Sequence, residues 1–586
     1  IETIPEIQKQ VLWFPNNTLY KKQNKYRFIE HFFIKANKLH KLSAVDYSTY
    51  LETILQKVQN GALLQDIALS IVEADISFEE AFEFIEALVI NQLLVSELEP
   101  TVTTANNLQD LIKALTKING QETQAILKTL HHIQKEIAFI NTTEIGIDIA
   151  IYEQLTEKIK TLEVAFDASK LFQVDMFIPD IKGSLNKQYL QDVEKAIEIL
   201  KKFNPYHDSL KREKEQFQKL YEDNAVNLFD VFDNENGMFY SQETSISPLI
   251  DKVYPTFKGD NEIKFKNTIQ EKFTNNIFQK AISEKEKVIT LAYKKLSEPL
   301  KKYQNNAQLP PTYSAMFRIF KENGVEKIFL ETVYGHSAIN LIGRFAHLDS
   351  GIEEHIKELA QKEEEILKDA VLVDIVHLPE DRTGNVLLRP VLHQYQIPYL
   401  SRANVAQEFQ IPVSDLMLSV QGNRFVLHSK KLNKEIIPRL SNAHNYSNPL
   451  SLPIYEFLCK MQNQNTTTWL GFNWGHLRNY YVFAPRVEFH NVILRLAEWQ
   501  FYSEHIKAIL EAVKQKNEPK IAEELTKWQQ KHKVPNKFLL AEGDNELYIN
   551  MQDELARKVF VHEIKNKGSF LLKEFLMTED NDTVSG

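Results

Sequence analysis

The chain has 586 residues, of which 43% are hydrophobic and 25% charged, with a formal net charge of −10. That length implies several domains with cores large enough to need no staples, and the acidic balance argues against a generic nucleic-acid binder while leaving room for a local basic face. A single cysteine, Cys459, excludes an intrachain disulfide and a cysteine zinc cluster, and it fits a reducing cytoplasm.

The first residue is Ile1, with no signal-peptide pattern, and residues 578–586 read as an acidic, polar linker. A piece of a longer protein is expected. Charges break every apolar run well short of the ~18 residues a membrane span needs.

Residues 13–45 hold short aromatic strand-like runs, at 17–20 and at 26–35, the second carrying Tyr26, Phe28, Ile29, Phe32, Phe33 and Ile34. Tyr47, Tyr50, Leu51, Ile54, Leu55 and Val58 recur at helical spacing up to Gly61, and residues 63–72 give a second helix. Ser77 and Glu80 form a capping box that opens a third helix over 78–91. That helix carries Glu79, Glu80, Glu83 and Glu86 and no Lys or Arg, and a strand over 93–98 follows it. Strands, three short helices and a returning strand predict a winged helix-turn-helix over residues 1–100. The acidic third helix speaks against DNA. An open strand edge would take an extended peptide instead, by strand addition, and a plain structural subdomain is the alternative.

Residues 101–308 read as mainly helical, with helices over 108–140, 151–164 and 187–203, and a short strand at 173–177 interrupted by Asp175. A helix from 217 leads into an acidic turn near 238, where Asp230, Asp233 and Glu235 lack EF-hand spacing. No metal site is expected there. Residues 252–302 are lysine-rich with interleaved aromatics, the first candidate for an RNA phosphate contact, although much of the stretch reads as solvated helix surface.

After Leu309-Pro310-Pro311 the character changes. The pattern predicts a strand at 327–334, a loop at 335–349 and a charged helix from near Ile352. It continues with strands at 371–377 and 386–399 about a turn at 378–385, and a hairpin of 411–418 with 423–429 turned by Gln421-Gly422. A strand starts at 483–487, and 493–514 reads largely as helix. The fold class is therefore α+β in several subdomains: a winged-helix-like unit at 1–100, a helical middle at 101–308, a mostly antiparallel α+β region at 309–577, and the linker at 578–586.

The sequence contains no Gly-x-Gly-x-x-Gly, no Gly-x-x-x-x-Gly-Lys-[Ser/Thr], no His-Glu-x-x-His and no Gly-x-Ser-x-Gly. Gly335-His336-Ser337-Ala338-Ile339 lacks the closing glycine that an esterase serine at Ser337 would need. Arginine is scarcer than lysine here, yet Arg344, Arg382, Arg389 and Arg486 all stand at or near loop–strand junctions. A guanidinium grips carboxylates and phosphates with two donors, so these positions suggest an anionic ligand; each could equally bridge backbone carbonyls or a buried acid.

Several segments, in this order and spacing, carry a family likeness: residues 12–20, Leu93 to Pro100, Gln173-Val174-Asp175, Gly343-Arg344-Phe345, Leu378-Pro379-Glu380 with Arg382 and Asn385, Asp415-Leu416, Pro485-Arg486 and Ala497-Glu498-Trp499. Through nearly its whole length the chain resembles the glutamylation domain of lanthipeptide dehydratases of the nisin-dehydratase type. The resemblance implies transfer of glutamate from glutamyl-tRNA to Ser and Thr side chains of a ribosomal precursor peptide. It implies Arg344 as an essential active-site residue; Gly343, Phe345, Arg382, Asn385, Arg389 and Arg486 are the candidates for substrate or tRNA contacts. It also implies leader-peptide binding by the winged-helix unit, for which Tyr26, Phe28, Leu94 and Val95 are the candidates.

The ester substrate is already activated, so no ATP, metal or other cofactor is expected besides glutamyl-tRNA as co-substrate. A lanthipeptide cyclase and a second copy of the chain are the further partners implied. The family's N-terminal Arg-x-Thr-Pro-Phe-Gly portion and its elimination domain are not in this sequence, so this piece alone is expected to be inactive. Two alternatives stay open: a related peptide aminoacyl-tRNA ligase acting at a peptide C-terminus, and a non-catalytic peptide-binding scaffold.

Overall fold

The computed structural model describes residues 1–34, 37–143, 146–164, 166–178, 184–204, 206–233, 235, 237–238, 269–292, 308–379, 384–447 and 451–577. The chain divides into two compact units. The first takes Ile1–Ile178, Asp208–Ser245 and His336–Gln464, and the second takes Pro179–His207, Ile246–Gly335 and Asn465–Gly586. Residues 1–100 lie wholly in the first unit, whereas 101–308 and 309–577 contribute to both.

In the first unit, a capping box at Ser77 and Glu80 starts the helix Phe78–Ile90, as its sequence dictates. With Thr49–Lys57 and Leu64–Leu69 it buries Leu51, Ile54, Ile67, Ile85 and Leu88 in one core. The long hairpin of Lys25–Ile34 with Asn37–Asp46 precedes these helices and also pairs with Tyr20–Lys22. The strand after the helices, Leu94–Ser96, pairs with Trp13–Pro15. Helices Asn107–Leu115, Gln121–Thr142 and Ile149–Lys160 complete this part.

The rest of the first unit is a six-stranded sheet in the order Tyr395–Pro398, Val371–Val376, Lys434–Arg439, Arg424–Ser429, Leu416–Gln421, Val226–Asn227. Its first two pairings are parallel and the others antiparallel. Helix Pro453–Met461 packs against it through Tyr455, Phe457, Leu458 and the buried Cys459. The hairpin Leu416–Gln421/Arg424–Ser429 turns through Gly422 and Asn423, both at positive φ, as a two-residue turn of this hand requires.

The second unit holds two sheets. One places Val325–Tyr334 between Ser314–Glu322 on one side and Val492–Arg495 with Trp469–Leu470 on the other, and extends through Arg486–Phe489 to Val288–Leu291. The other runs Phe483–Ala484, Glu498–Tyr502, Ser569–Glu574, Lys537–Glu542, Asn545–Asn550, antiparallel throughout. Across both units antiparallel pairings outnumber parallel ones, and the fold is α+β.

Several sequence expectations need correction. Residues 493–514 are not largely helix: Val492–Arg495 and Glu498–Tyr502 are strands and only Lys507–Lys514 is α-helical. The aromatic run Trp499, Phe501 and Tyr502 suits a pleated, paired surface better than a helix. Residues 173–177 form no strand; Val174 and Met176, which mimic strand alternation, are 80% and 85% exposed and pair with nothing among the described residues. In 386–399 only Tyr395–Pro398 is strand, because Pro390 cannot donate to a ladder and Gly384–Leu387 is a helical turn. The helix expected from 217 spans Lys211–Tyr221 instead and stops well before the acidic turn. Finally, 335–349 is not an open loop but the helical turns Ile339–Ile342 and Gly343–Phe345, leading into the helix Ser350–Ile366.

Candidate functional site

The Gly-Arg-Phe segment is fixed from beneath by a chain of buried polar contacts. Ser337 donates its backbone N–H to Asn340 Oδ1 (2.9 Å), and its hydroxyl oxygen accepts from Ile339 N (3.1 Å). That side chain is buried, so Ser337 presents no exposed hydroxyl. Asn340 Nδ2 donates to Asn442 O (2.8 Å). Gly343 lies so close to the neighbouring backbone that a Cβ built on it would stand 2.7 Å from Ser441 O. Only glycine permits that approach.

Beneath Ser441 the interior is charged. The Ser441 hydroxyl donates to Asp374 Oδ1 (2.8 Å), and Asp374 Oδ2 accepts from His393 N (3.2 Å). Arg389 stands 3.8 Å from Asp374 and donates to Ile375 O (2.9 Å) and Leu387 O (3.2 Å). Arg439 pairs with Glu363 at 3.4 Å. All four ionic side chains are buried, and burial draws both guanidinium pKa values down although Asp374 and Glu363 oppose it. Buried pairs of this kind fix one arrangement strongly, since removing one partner strands the other.

On this base, Arg344 turns outward. Its Nη2 donates to Asp175 Oδ1 at 2.8 Å, and its guanidinium stands 4.5 Å from the Phe345 ring centroid. The Arg344 side chain remains 23% exposed. His347 Nδ1 donates to Arg344 O (2.9 Å), which leaves Nε2 facing Asp175 Oδ2 at 3.9 Å. Asp349 then caps Ser350–Ile366 by accepting from Gly351 N and Ile352 N.

The other candidates are placed differently. Arg486, in the second unit, is buried and bound to Glu574, Glu322 (2.9 Å) and Glu488 (3.0 Å), carboxylates that hold its pKa above the usual arginine value against burial. Arg389 is buried in the ionic layer just described. Arg382 and the side chain of Asn385 lie outside the described residues, as does most of the lysine-rich stretch 252–302. The acids once weighed for calcium serve as ion-pair partners: Asp230 with Lys22, and Asp233 (2.6 Å) and Glu235 (2.7 Å) with Arg27. Among the described residues no group of three or more His, Cys, Asp or Glu could hold a metal ion. No described helix is long and apolar enough to cross a membrane.

Of the leader-peptide candidates, Tyr26, Phe28 and Leu94 are core residues. Tyr26 and Val95 line a cleft of about 1150 Å³ in the first unit, between the strands at 13–22 and 94–96, helix Thr49–Lys57 and the loop 398–415. Nearby, the outer edge of Asn37–Asp46 carries no partner strand among the described residues. Sequence reasoning missed Asp175 as a site residue. A lone aspartate amid exposed Val174, Met176, Phe177 and Ile178 was the available signal: it alone turns inward.

The fold is mixed α+β, and the segment that carries the partly exposed Arg344 is clamped against neighbouring backbone. Residues 1–560 match the family described as lantibiotic dehydratase, N terminus, and the chain belongs to that family. Among curated relatives it is 22% identical over 86% of its length to subtilin biosynthesis protein SpaB of Bacillus subtilis, and 21% over 94% to epidermin biosynthesis protein EpiB of Staphylococcus epidermidis. It is also 19% identical over 98% of its length to nisin biosynthesis protein NisB of Lactococcus lactis subsp. lactis. The chain spans about half of each of them: 48%, 53% and 55%.

Among solved structures, the fold resembles the tRNA-dependent lantibiotic dehydratase MibB from Microbispora sp. 107891, with TM-score 0.78, 16% identity, and coverage of 97% of this chain and 55% of that one. It also resembles the glutamylation domain of TbtB from thiomuracin biosynthesis bound to 5'-phosphodesmethylglutamycin, with TM-score 0.60, 13% identity, and coverage of 98% and 68%.

Proposed function

We propose that this chain is the glutamyl-transfer part of a lanthipeptide dehydratase, moving glutamate from glutamyl-tRNA to Ser and Thr hydroxyls of a precursor peptide in the cytoplasm. The observation that carries the reading is Arg344: its fork is oriented by Asp175 and Phe345, and part of it stays open to solvent. Family membership and the likeness to a glutamylation domain support the same reading.

The chemistry asks little more of such a site. An aminoacyl ester needs no further activation, so no cofactor is required; the enzyme must bring ester and hydroxyl together and neutralise charge at the developing oxyanion or on the glutamate carboxylate. Arg344 meets the second need. Tyr26, Val95 and the cleft they line, together with the open edge of Asn37–Asp46, would take the leader as an extended segment.

The test incubates the full-length protein with precursor peptide and glutamyl-tRNA and follows glutamate adducts by mass spectrometry. Adducts on Ser and Thr are expected. Leader binding with no adduct, or addition only at the peptide C-terminus, would refute the transfer reading.

A further inference from the structure

The walls of the cleft that Tyr26 and Val95 share carry charges, and nearly all are already engaged. Lys21 pairs with Glu52 at 3.2 Å and stands 3.7 Å from the Tyr47 ring centroid. Lys431 donates to the carbonyls of Glu408 (2.8 Å), Gln410 (3.2 Å) and Gln407 (3.4 Å). Arg402 donates to Glu97 O, and Glu97 Oε1 accepts from Leu12 N (2.9 Å). Asp415 accepts from the Ser429 hydroxyl and from Lys431 N (2.9 Å). Each cation of the cleft thus has its acceptor. One anion does not: the carboxylate of Glu99 lines the cleft, half-buried, and makes no hydrogen bond or ion pair among the described residues.

We propose that Glu99 anchors a cationic side chain, lysine or arginine, of an extended peptide lying in this cleft. The inference rests on reading the cleft as the leader-peptide site and adds which chemistry that site selects. The argument is charge complementarity. A cleft whose cations are all satisfied and whose one free charge is a carboxylate is incomplete without a positive partner, and a half-buried carboxylate gains more from one than an exposed carboxylate does. The apolar stretches of the same walls, Phe14, Leu55 and Val405 among them, suit the flanking residues of such a peptide.

The surroundings of Glu99 give the contact a pH signature. Burial pushes its carboxyl up to about 7; Lys38 and Arg402 pull the other way and the Glu2 carboxylate adds to the rise. The other ionisable groups on the walls, Lys21, Glu52, Glu97, Asp415 and Lys431, are engaged as described, and the Tyr26 hydroxyl donates to Glu52. A bound cation therefore expels a proton from Glu99, and the preference for cations strengthens as pH rises through 7.

The probe is a library of N-acetylated, C-amidated dodecapeptides with each position varied, retained on the immobilised chain and sequenced. Wild type at pH 8 is expected to enrich Lys or Arg about tenfold over norleucine at one position, the size of one charge-assisted contact in a half-buried site. Near pH 6, where about nine-tenths of the carboxyl is protonated, that enrichment disappears. Glu99→Gln, close to isosteric, should keep the total peptide retained and the melting temperature while losing the enrichment, and Glu99→Lys should favour Asp or Glu at that position. Peptides retained without cation enrichment, or enrichment unchanged in Glu99→Gln, would overturn the role of Glu99 and leave the peptide cleft standing. A preference confined to peptides with a free N-terminal amine would overturn it equally. Wild-type protein that retains no peptide removes the cleft reading as well.

Discussion

Arg344→Lys separates the chemical role of this side chain from its structural one. The Arg344–Asp175 pair has side chains 23% and 14% exposed, which places it between a surface ion pair, at about 0.2–1 kcal/mol, and a buried one, whose breaking costs about 3–5 kcal/mol. Losing the pair outright should cost about 1–2 kcal/mol. Lysine retains the charge and one donor for Asp175, so its stability loss should stay below about 1 kcal/mol. It cannot hold Asp175 and present a second, planar pair of donors at once, and losing one directed donor onto developing charge typically costs about 100-fold or more in rate. The expected result is a near-native melting curve with glutamate adducts formed about 100-fold more slowly, measured by mass spectrometry on the full-length protein with precursor peptide and glutamyl-tRNA. Adduct formation at the wild-type rate would refute the role of Arg344. So would a rate that falls only in proportion to the folded fraction.

Gly343→Ala should act on both properties together. Its Cβ would meet the carbonyl oxygen of Ser441, a residue whose side-chain hydroxyl holds Asp374, so the helical turn must shift; about 1–3 kcal/mol of stability and most adduct formation should go, read by thermal melting and the same assay. Ser77→Ala removes one half of an exposed capping box and should cost about 1 kcal/mol, seen as faster hydrogen exchange in residues 78–90 with glutamylation unchanged. In the first unit, burial holds His377 and His336 neutral, with pKa values lowered to about 3 and about 4. Once unfolded they take up protons near the ordinary 6.5, so between these values the unfolded state binds more protons. Stability is complete above pH 6.5 and falls as the pH drops towards 4, at up to ~1.4 kcal/mol per pH unit for each histidine. Urea melts at pH 7, 6 and 5 check the slope; a His377→Gln variant with an unaltered slope would count against it.

What the sequence made legible was whatever local chemistry determines. The capping box at Ser77 and Glu80 and the helix Lys187–Phe203 stand where composition and spacing put them, whereas the hairpin near Gly422 turns through Gly422-Asn423 rather than Gln421-Gly422 and its first strand is Leu416–Gln421 rather than 411–418. Segments whose state depends on a partner were misread. Glu498–Tyr502 is a strand because Phe483–Ala484 and Ser569–Glu574 lie on either side of it, and the second of these is about seventy residues away in sequence. Residues 173–177 alternate like a strand but have no strand to join among the described residues, and their aspartate is instead paired over a long sequence distance with Arg344. The pairing of Leu94–Ser96 with Trp13–Pro15 was likewise invisible, since nothing in three residues names a partner.

The four junction arginines show why residue type alone did not define the site. A guanidinium has five N–H donors, and what it can do depends on how many the fold consumes. Arg486 spends its donors on three carboxylates, and Arg389 gives two to carbonyls while lying beside Asp374, so each stabilises the interior of its unit. Arg344 gives one donor to Asp175 and rests against Phe345. On the proposed function that single contact matters as much as the open donors. Freezing a long side chain on binding costs about 0.5–1.5 kcal/mol, and Asp175 has already removed much of that freedom before any ligand arrives. The same carboxylate lowers the net charge a ligand meets, so the site would favour groups that engage the fork geometrically, a carboxylate or an oxyanion aligned with two N–H bonds, over anions attracted by charge alone.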